Sequence, residues 1–288
     1  MDMTVRILQR GFNFSQDGPG NRLVYHLQGC SMHCPWCSNP ESIAPGGCIL
    51  ADGPAADALC PFGAVRDGFP DQARCRVCEK PCLSSHSRHL RQSCTGHTVE
   101  EVLSEIERSR AMFFDGGGVT FTGGEATMQF EALNTLLTAL KARGIHTALE
   151  TNGSHPQLAE LFPVIDYLIL DCKHWNDETH RRVIGLGNRQ TLENLRAAAQ
   201  QRTQLLVRIP LVGGFNDSEA DAEAFAQILS VLHGDTQCVE VLRYHEYGKD
   251  KWKQCGMVYT MHDAFVSDDT YNSFCGTLRG SGLHLIRT

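Results

Sequence analysis

The apolar positions change period repeatedly along the chain, and the changes predict the fold. Arg22–Leu27 is a short run rich in Leu, Val and Tyr, and reads as a first strand. From Thr98 onward the pattern alternates. Val99, Val102, Leu103 and Ile106 recur at helical spacing; Val119–Thr122 is a strand stopped by Gly123-Gly124. Phe130–Lys141 puts Leu133, Leu136, Leu137 and Leu140 on one helical face. A strand at His146–Glu150, a helix around Gln157–Phe162 and a strand at Tyr167–Asp171 follow. The helix Leu192–Gln200 precedes the strand Leu205–Pro210, and the helix Glu219–Leu232 precedes the strand Cys238–Arg243. A last helix, Asp269–Leu278, leads to Leu283–Ile286.

Repeated strand–helix units imply an α/β fold with a parallel sheet and right-handed crossovers. Six or so units predict a partial (β/α)6 TIM-like barrel, with an open doubly wound sheet as the alternative. In a barrel the C-terminal strand ends share one face. Cys30, Gly123, Glu150, Asp171, Arg208 and His245 each fall at or near the end of a different predicted strand, so they are expected to converge. Residues 42–96 break the rhythm, being rich in Gly, Pro, Cys and Asp with little periodicity. A loop this long needs something to pin it. The expected division is a discontinuous barrel, 1–41 and 95–288, with a cysteine-rich insertion at 42–94.

Composition narrows the function. The 288 residues carry a net charge of −7, which lacks the basic footprint of a nucleic-acid binder. No apolar run approaches the ~20 residues that span a bilayer, and the first residues lack the apolar core of a signal peptide. A cytoplasmic monomer is expected, with no nucleic acid and no membrane as partners. Of the 13 cysteines, nine lie between Cys30 and Cys94. A secreted disulfide protein would spread them; a local group in a reducing compartment reads as metal or iron–sulfur ligation. Cys172, Cys238, Cys255 and Cys275 read as ordinary buried side chains.

Gly29-Cys30-Ser31-Met32-His33-Cys34-Pro35-Trp36-Cys37 follows the first strand directly. Three thiolates at C-x3-C-x2-C on one loop can hold three irons of a 4Fe–4S cubane and leave the fourth open. Zinc is the alternative, but it wants four ligands and no partner knuckle is spaced for it. The loop runs on into Ser38-Asn39-Pro40-Glu41. In order come Asp17-Gly18-Pro19-Gly20 before it, then Gly116-Gly117-Gly118-Val119-Thr120, Thr122-Gly123-Gly124-Glu125-Ala126, Glu150-Thr151-Asn152-Gly153, Asp171-Cys172-Lys173 and Arg243-Tyr244-His245-Glu246-Tyr247-Gly248-Lys249. With these stretches the chain resembles the glycyl-radical enzyme activating enzymes of the radical S-adenosylmethionine (SAM) superfamily, over nearly its whole length outside the insertion.

The resemblance implies that a cluster on Cys30, Cys34 and Cys37 cleaves SAM and that the resulting radical takes a hydrogen atom from a glycine of a partner glycyl-radical enzyme. It implies a flavodoxin or ferredoxin as electron donor. It makes Trp36, Asn39, Gly123, Gly124 and Glu125 cofactor-binding, with the Glu125 carboxylate available to the SAM amine. It places a monovalent cation between Glu150 and Asp171, although the family's usual Asp is Glu at 150; the alternative is two rim carboxylates paired with Lys173 or Arg208. Lys173, Arg208 and His245 surround SAM or the substrate loop in this reading, and Asp17–Gly20, otherwise a tight turn, contacts the partner. The partner is not named: pyruvate formate-lyase, a diol dehydratase, a decarboxylase and a C–S lyase all qualify. A radical SAM enzyme for a small molecule or peptide is one rival reading; an electron carrier fused to a barrel is another.

The resemblance also implies, from many relatives in that family, a ferredoxin-like insert with eight cysteines and two clusters. Here six remain: Cys48, Cys60, Cys75, Cys78, Cys82 and Cys94. Cys60-Pro61 has the form of the end of a ferredoxin half-motif, whose cysteine serves the other cluster. The expected set is Cys60, Cys75, Cys78 and Cys82. Substitution of Cys94 for Cys60, or two clusters completed by a residue such as His86, or a zinc site, stay open.

Overall fold

The computed structural model describes residues 3–13, 16–85, 87–201, 204–234 and 236–288; His86 lies outside them. Strand β1 (Thr4–Asn13) buries Val5 and Ile7 and runs antiparallel to β2 (Arg22–Leu27). Four short strands follow: β3 (Ile49–Ala51), β4 (Val65–Arg66), β5 (Phe69–Pro70) and, after helix α1 (Gln72–Val77), β6 (Leu90–Gln92). Then come β7 (Thr95–Thr98), α2 (Val99–Arg108), β8 (Gly118–Gly123), α3 (Phe130–Ala142), β9 (Thr147–Thr151) and β10 (Tyr167–Asp171). Helices α4 (Asp177–Ile184) and α5 (Arg189–Ala199) lead to β11 (Gln204–Leu211), α6 (Glu219–Leu229), β12 (Gln237–Arg243), α7 (Lys249–Gln254) and α8 (Asp268–Gly280).

One eight-stranded sheet has the order β12-β11-β10-β9-β8-β2-β1-β7. The six strands from β12 to β2 are mutually parallel. They are buried on both faces, as strands covered by crossover helices must be, and the burial of β8 runs unbroken from Gly118 to Thr122. Leu133, Leu136, Leu137 and Leu140 of α3 are fully buried against this sheet. Two helices start with reciprocal capping boxes, Thr98 with Glu101 and Ser218 with Asp221, which satisfy backbone donors that the first turn leaves free.

Three expectations change. The stretch expected as a helix at Gln157–Phe162 is a 3-10 turn, Leu158–Val164, because Pro156 and Pro163 leave too few residues for α-helical bonding. Leu283–Ile286 contributes one parallel bridge, Leu285 to Val239, rather than a strand. The insertion also has more order than its composition suggested. It forms two small antiparallel sheets, β3–β6 and β4–β5, around Ile49, Ala51, Ala56, Val65, Cys75 and Leu90. The β4–β5 turn uses Asp67 and Gly68 at positive φ, and the Asp57 carboxylate accepts from both of their amides.

Candidate functional site

The parallel strands all end on one side, and a cavity of about 280 Å³ opens there. Its floor is the loop after β2, with Cys30, Cys34, Trp36, Cys37 and Asn39. Gly123 and Gly124 form one wall, and Glu150, Asn152, Asp171, Lys173 and His245 the other. The loop is tied down by its own backbone: Gly29 and Cys30 amides donate to Ser42 and Ile43, and Glu125 N donates to Gly29 O at 2.7 Å. Gly123 has φ 131°, and a Cβ there would lie 2.3 Å from Leu27 backbone atoms; at Gly124 it would lie 2.5 Å from Gly29 O. Both positions therefore require glycine, because the turn is pressed against the cysteine loop.

Cys34 is buried, and Cys30 and Cys37 are half-buried. Burial raises Cys30 and Cys34 to about 12 and Cys37 to about 11. Backbone amides point at two of the sulfurs: Met32 N to Cys30 and Asn39 N to Cys37, each at 3.4 Å. Three cysteines of one loop lining one cavity, two of them with amide donors, and a nearby ammonium fit a 4Fe–4S cluster, whose irons would neutralise thiolates that this pocket otherwise disfavours. Lys173 supplies the ammonium. Burial opposes its charge, but Asp171, 2.7 Å away, and then Cys34 outweigh that, so its pKa is raised and it stays cationic.

Glu125 does not line the cavity. It is 2% exposed, and its carboxylate accepts from Thr127 N and Oγ1, Thr151 Oγ1 and Asn152 N at 2.6–3.0 Å. With these bonds made inside the protein, the carboxylate braces the glycine turn against the end of β9 and does not face the cavity. Arg208 is likewise absent from the cavity lining. Its register opposite Asp171 and Glu240 puts it on the same face of the sheet as both. There it pairs with Glu150 at 2.6 Å and Glu240 at 3.0 Å, and donates to Gln16 O. Glu150 and Glu240 thus share the one charge of Arg208, while Asp171 has Lys173. His245 lines the cavity and stacks on Tyr247, and burial lowers its pKa, so its ring is neutral.

Asp17–Gly20 packs against the start of β8. Thr120 Oγ1 donates to Asp17 O at 2.6 Å and Arg22 to Pro19 O at 3.0 Å. Burial, and next Glu150, raise the Asp17 carboxyl to about 6 against the pull of Arg208, Asn13 and Arg22. A carboxyl raised on folding contributes stability that is complete below its ordinary value and lost as pH rises through the folded one. The melting temperature of Asp17→Asn should therefore gain on wild type as pH rises from about 5 to about 7.5. A difference that stays constant over that range would contradict this placement of Asp17.

In the insertion, Cys60, Cys75, Cys78 and Cys82 surround a second cavity, of about 420 Å³. Amides again meet sulfur: Ala64 N to Cys60 at 3.2 Å and Lys80 N to Cys78 at 3.3 Å. Burial, then Cys60, raise Cys75 to about 11. Cys94 does not line this cavity. It lies beside Gly47, near Cys48, because β6 carries the chain back to β3 before Cys94 is reached. Sequence reasoning gave no role to Asn152, whose Nδ2 donates to Ser31 Oγ at 3.2 Å and approaches Cys30 Sγ at 4.0 Å. Its place in Glu150-Thr151-Asn152-Gly153, one residue past β9, was the available signal.

Known proteins agree with this geometry. Residues 24–226 match the model of the radical SAM superfamily. The chain is 35% identical over 271 residues to the isethionate sulfite-lyase activating enzyme of Desulfovibrio desulfuricans, covering 87% of this chain and 86% of that one. It is 32% identical over 276 residues to the 4-hydroxyphenylacetate decarboxylase activating enzyme of Clostridioides difficile, covering 88% and 86%. A radical SAM methyltransferase from Sphaerobacter thermophilus shares the fold, with TM-score 0.56 at 15% identity over 96% of this chain and 67% of that one. The chain belongs to the radical SAM superfamily and, within it, to the activating enzymes of glycyl-radical enzymes. Among the described residues, no helix is long and apolar enough to cross a membrane.

Proposed function

We propose that this protein cleaves SAM reductively and removes a hydrogen atom from a glycine of a partner glycyl-radical enzyme. The observation that carries the reading is the single cavity where three cysteines of one loop face a glycine turn at the strand ends. The six parallel strands support a partial barrel as its frame. When bound to Cys30, Cys34 and Cys37, a reduced 4Fe–4S cluster supplies the electron that splits SAM into methionine and the 5′-deoxyadenosyl radical. The chain's own part is placement. Gly123 and Gly124 let backbone approach the ligand, Asp171 holds Lys173 beside the thiols, and Trp36, Asn39 and neutral His245 close the walls. Asp171 is paired with Lys173, but Glu150 shares Arg208 with Glu240, so these pairs leave negative charge at the strand ends that a monovalent cation could balance.

The insertion supports a second 4Fe–4S cluster on Cys60, Cys75, Cys78 and Cys82, able to take electrons from a flavodoxin or ferredoxin. Relatives are named for decarboxylase, sulfite-lyase and choline trimethylamine-lyase partners, and the partner here is an enzyme of that kind. Mixing the reduced protein with SAM and each such enzyme should raise a glycine-centred EPR signal in one of them. Uncoupled 5′-deoxyadenosine without a glycyl signal in any, and coupled turnover with a small molecule, would favour the small-molecule rival.

The braced glycine turn gives a second expectation. Glu125→Ala and Gly124→Val should each disturb the turn and weaken SAM binding, measured by equilibrium binding to the iron-loaded protein, by about 10-fold or more, roughly 1.4 kcal/mol. Wild-type affinity in both variants would remove the turn from the SAM site.

A further inference from the structure

Helix α7 contacts the loop that carries Cys37 and, through Cys255 at its end, the insertion. On one side it grips the arm that leaves Cys37. Trp252 Nε1 donates to the Cys37 carbonyl at 3.0 Å, and Lys251 Nζ donates to Asn39 Oδ1 at 2.7 Å. The same ammonium pairs with Glu41 Oε1 at 2.8 Å. Glu41 is 5% exposed and its Oε2 makes no hydrogen bond, so Lys251 is left to compensate a buried carboxylate. Just before α7, a Cβ on Gly248 would lie 2.5 Å from Ser38 Cα; helix and arm are in direct backbone contact. On the other side α7 is fixed to the insertion. Gln72 Nε2 donates to Cys255 O at 2.9 Å and to Ile49 O at 2.7 Å. The Cys48 thiol points at Cys255 Sγ, 4.0 Å away. No residue of α7 is buried, so polar contacts and the edge-on packing of Trp252 against Tyr259 hold it.

We propose that α7 is a strut that positions the third loop cysteine, with Lys251 and Trp252 as its positioning residues, and that Gln72 ties it to the insertion. Fixing the Cys37 carbonyl fixes the peptide whose Sγ already accepts from Asn39 N. Residues that orient a metal-binding side chain in this way govern how well the metal is held. Gln72 and Cys75 lie three residues apart on α1 and so share a face. A change at the insertion's cysteines is thereby felt at Cys255 O and along α7. The inference rests on the reading that Cys30, Cys34 and Cys37 hold the SAM-responsive cluster.

The test uses the full chain, loaded anaerobically with iron and sulfide, as wild type, Trp252→Phe, Lys251→Met, Lys251→Arg and Gln72→Leu. Two signals are read: the EPR spectrum that responds to SAM, and the rate at which a chelator strips the iron giving it. Trp252→Phe keeps a ring against Tyr259 and loses only the N–H. Trp252→Phe and Lys251→Met should lose that iron about 10-fold faster with an altered line shape, while the SAM-insensitive iron is unchanged. Lys251→Arg should restore most of the loss, and Gln72→Leu should shift the rate in the same direction. Wild-type rates and spectra in Trp252→Phe and Lys251→Met overturn the strut, as does loss of both signals together, which would mark general unfolding. Wild-type behaviour in Gln72→Leu alone overturns the tie to the insertion. A wild-type chain with no SAM-responsive signal overturns the cluster reading instead.

Discussion

Replacing Cys34 by Ala is expected to abolish SAM cleavage. Cys34 is the most enclosed of the three loop cysteines, packed against Met32 and Ile184, and among the described residues no thiol lines that cavity besides it, Cys30 and Cys37. Without it one iron lacks its thiolate, and two ligands on a loop do not hold a cubane. The same outcome is expected for Cys30→Ala and Cys37→Ala. The check is anaerobic reconstitution, reduction, and measurement of 5′-deoxyadenosine against wild type. Undiminished turnover in Cys34→Ala would remove the loop from the reaction. Cys172→Ala is the control: that thiol is also buried but belongs to the apolar core, and turnover should survive.

The second large effect is in iron content. A variant lacking all three loop cysteines should retain about four irons, one cubane, held by Cys60, Cys75, Cys78 and Cys82. The insertion's packed core is small, seven buried residues among the described ones, so metal binding is expected to supply part of its folding energy. Iron and sulfide analysis with EPR reads the result directly. One zinc and no iron would make the insertion a structural zinc module and end the electron-relay role. About eight irons in that variant would mean Cys48 and Cys94 are ligands as well, against their separation from the other four.

The sheet was legible because parallel strands buried on both faces are plain apolar runs. Arg22–Leu27 and Tyr167–Asp171 have the ends their sequences suggest. Strand β1 escaped notice because only Val5 and Ile7 alternate inward before polar residues take over. Thr95–Thr98 carries no apolar signal at all; it is a strand because β1 offers it a pairing edge. Helix α7 buries nothing and is equally silent in hydrophobic pattern.

For the site, local spacing identified the cysteine loop and the glycine turn, since both are short-range features. The charged residues were harder. Whether Glu150 meets a cation, SAM or Arg208 depends on the register of β9, β10 and β11, which spacing along one strand does not contain. Glu125 shows the same limit: its four donors come from the turn that follows it and from the end of β9. Cys94 follows the other insertion cysteines in sequence, yet the β3–β6 pairing carries it to their far side.

The most direct measurement follows the hydrogen atom. The partner glycyl-radical enzyme is made with glycine deuterated at Cα and mixed anaerobically with the reduced protein and SAM. Deuterium should appear in 5′-deoxyadenosine as the glycyl signal rises in the partner. Glycyl radical formation with wholly unlabelled 5′-deoxyadenosine would contradict direct abstraction by this protein.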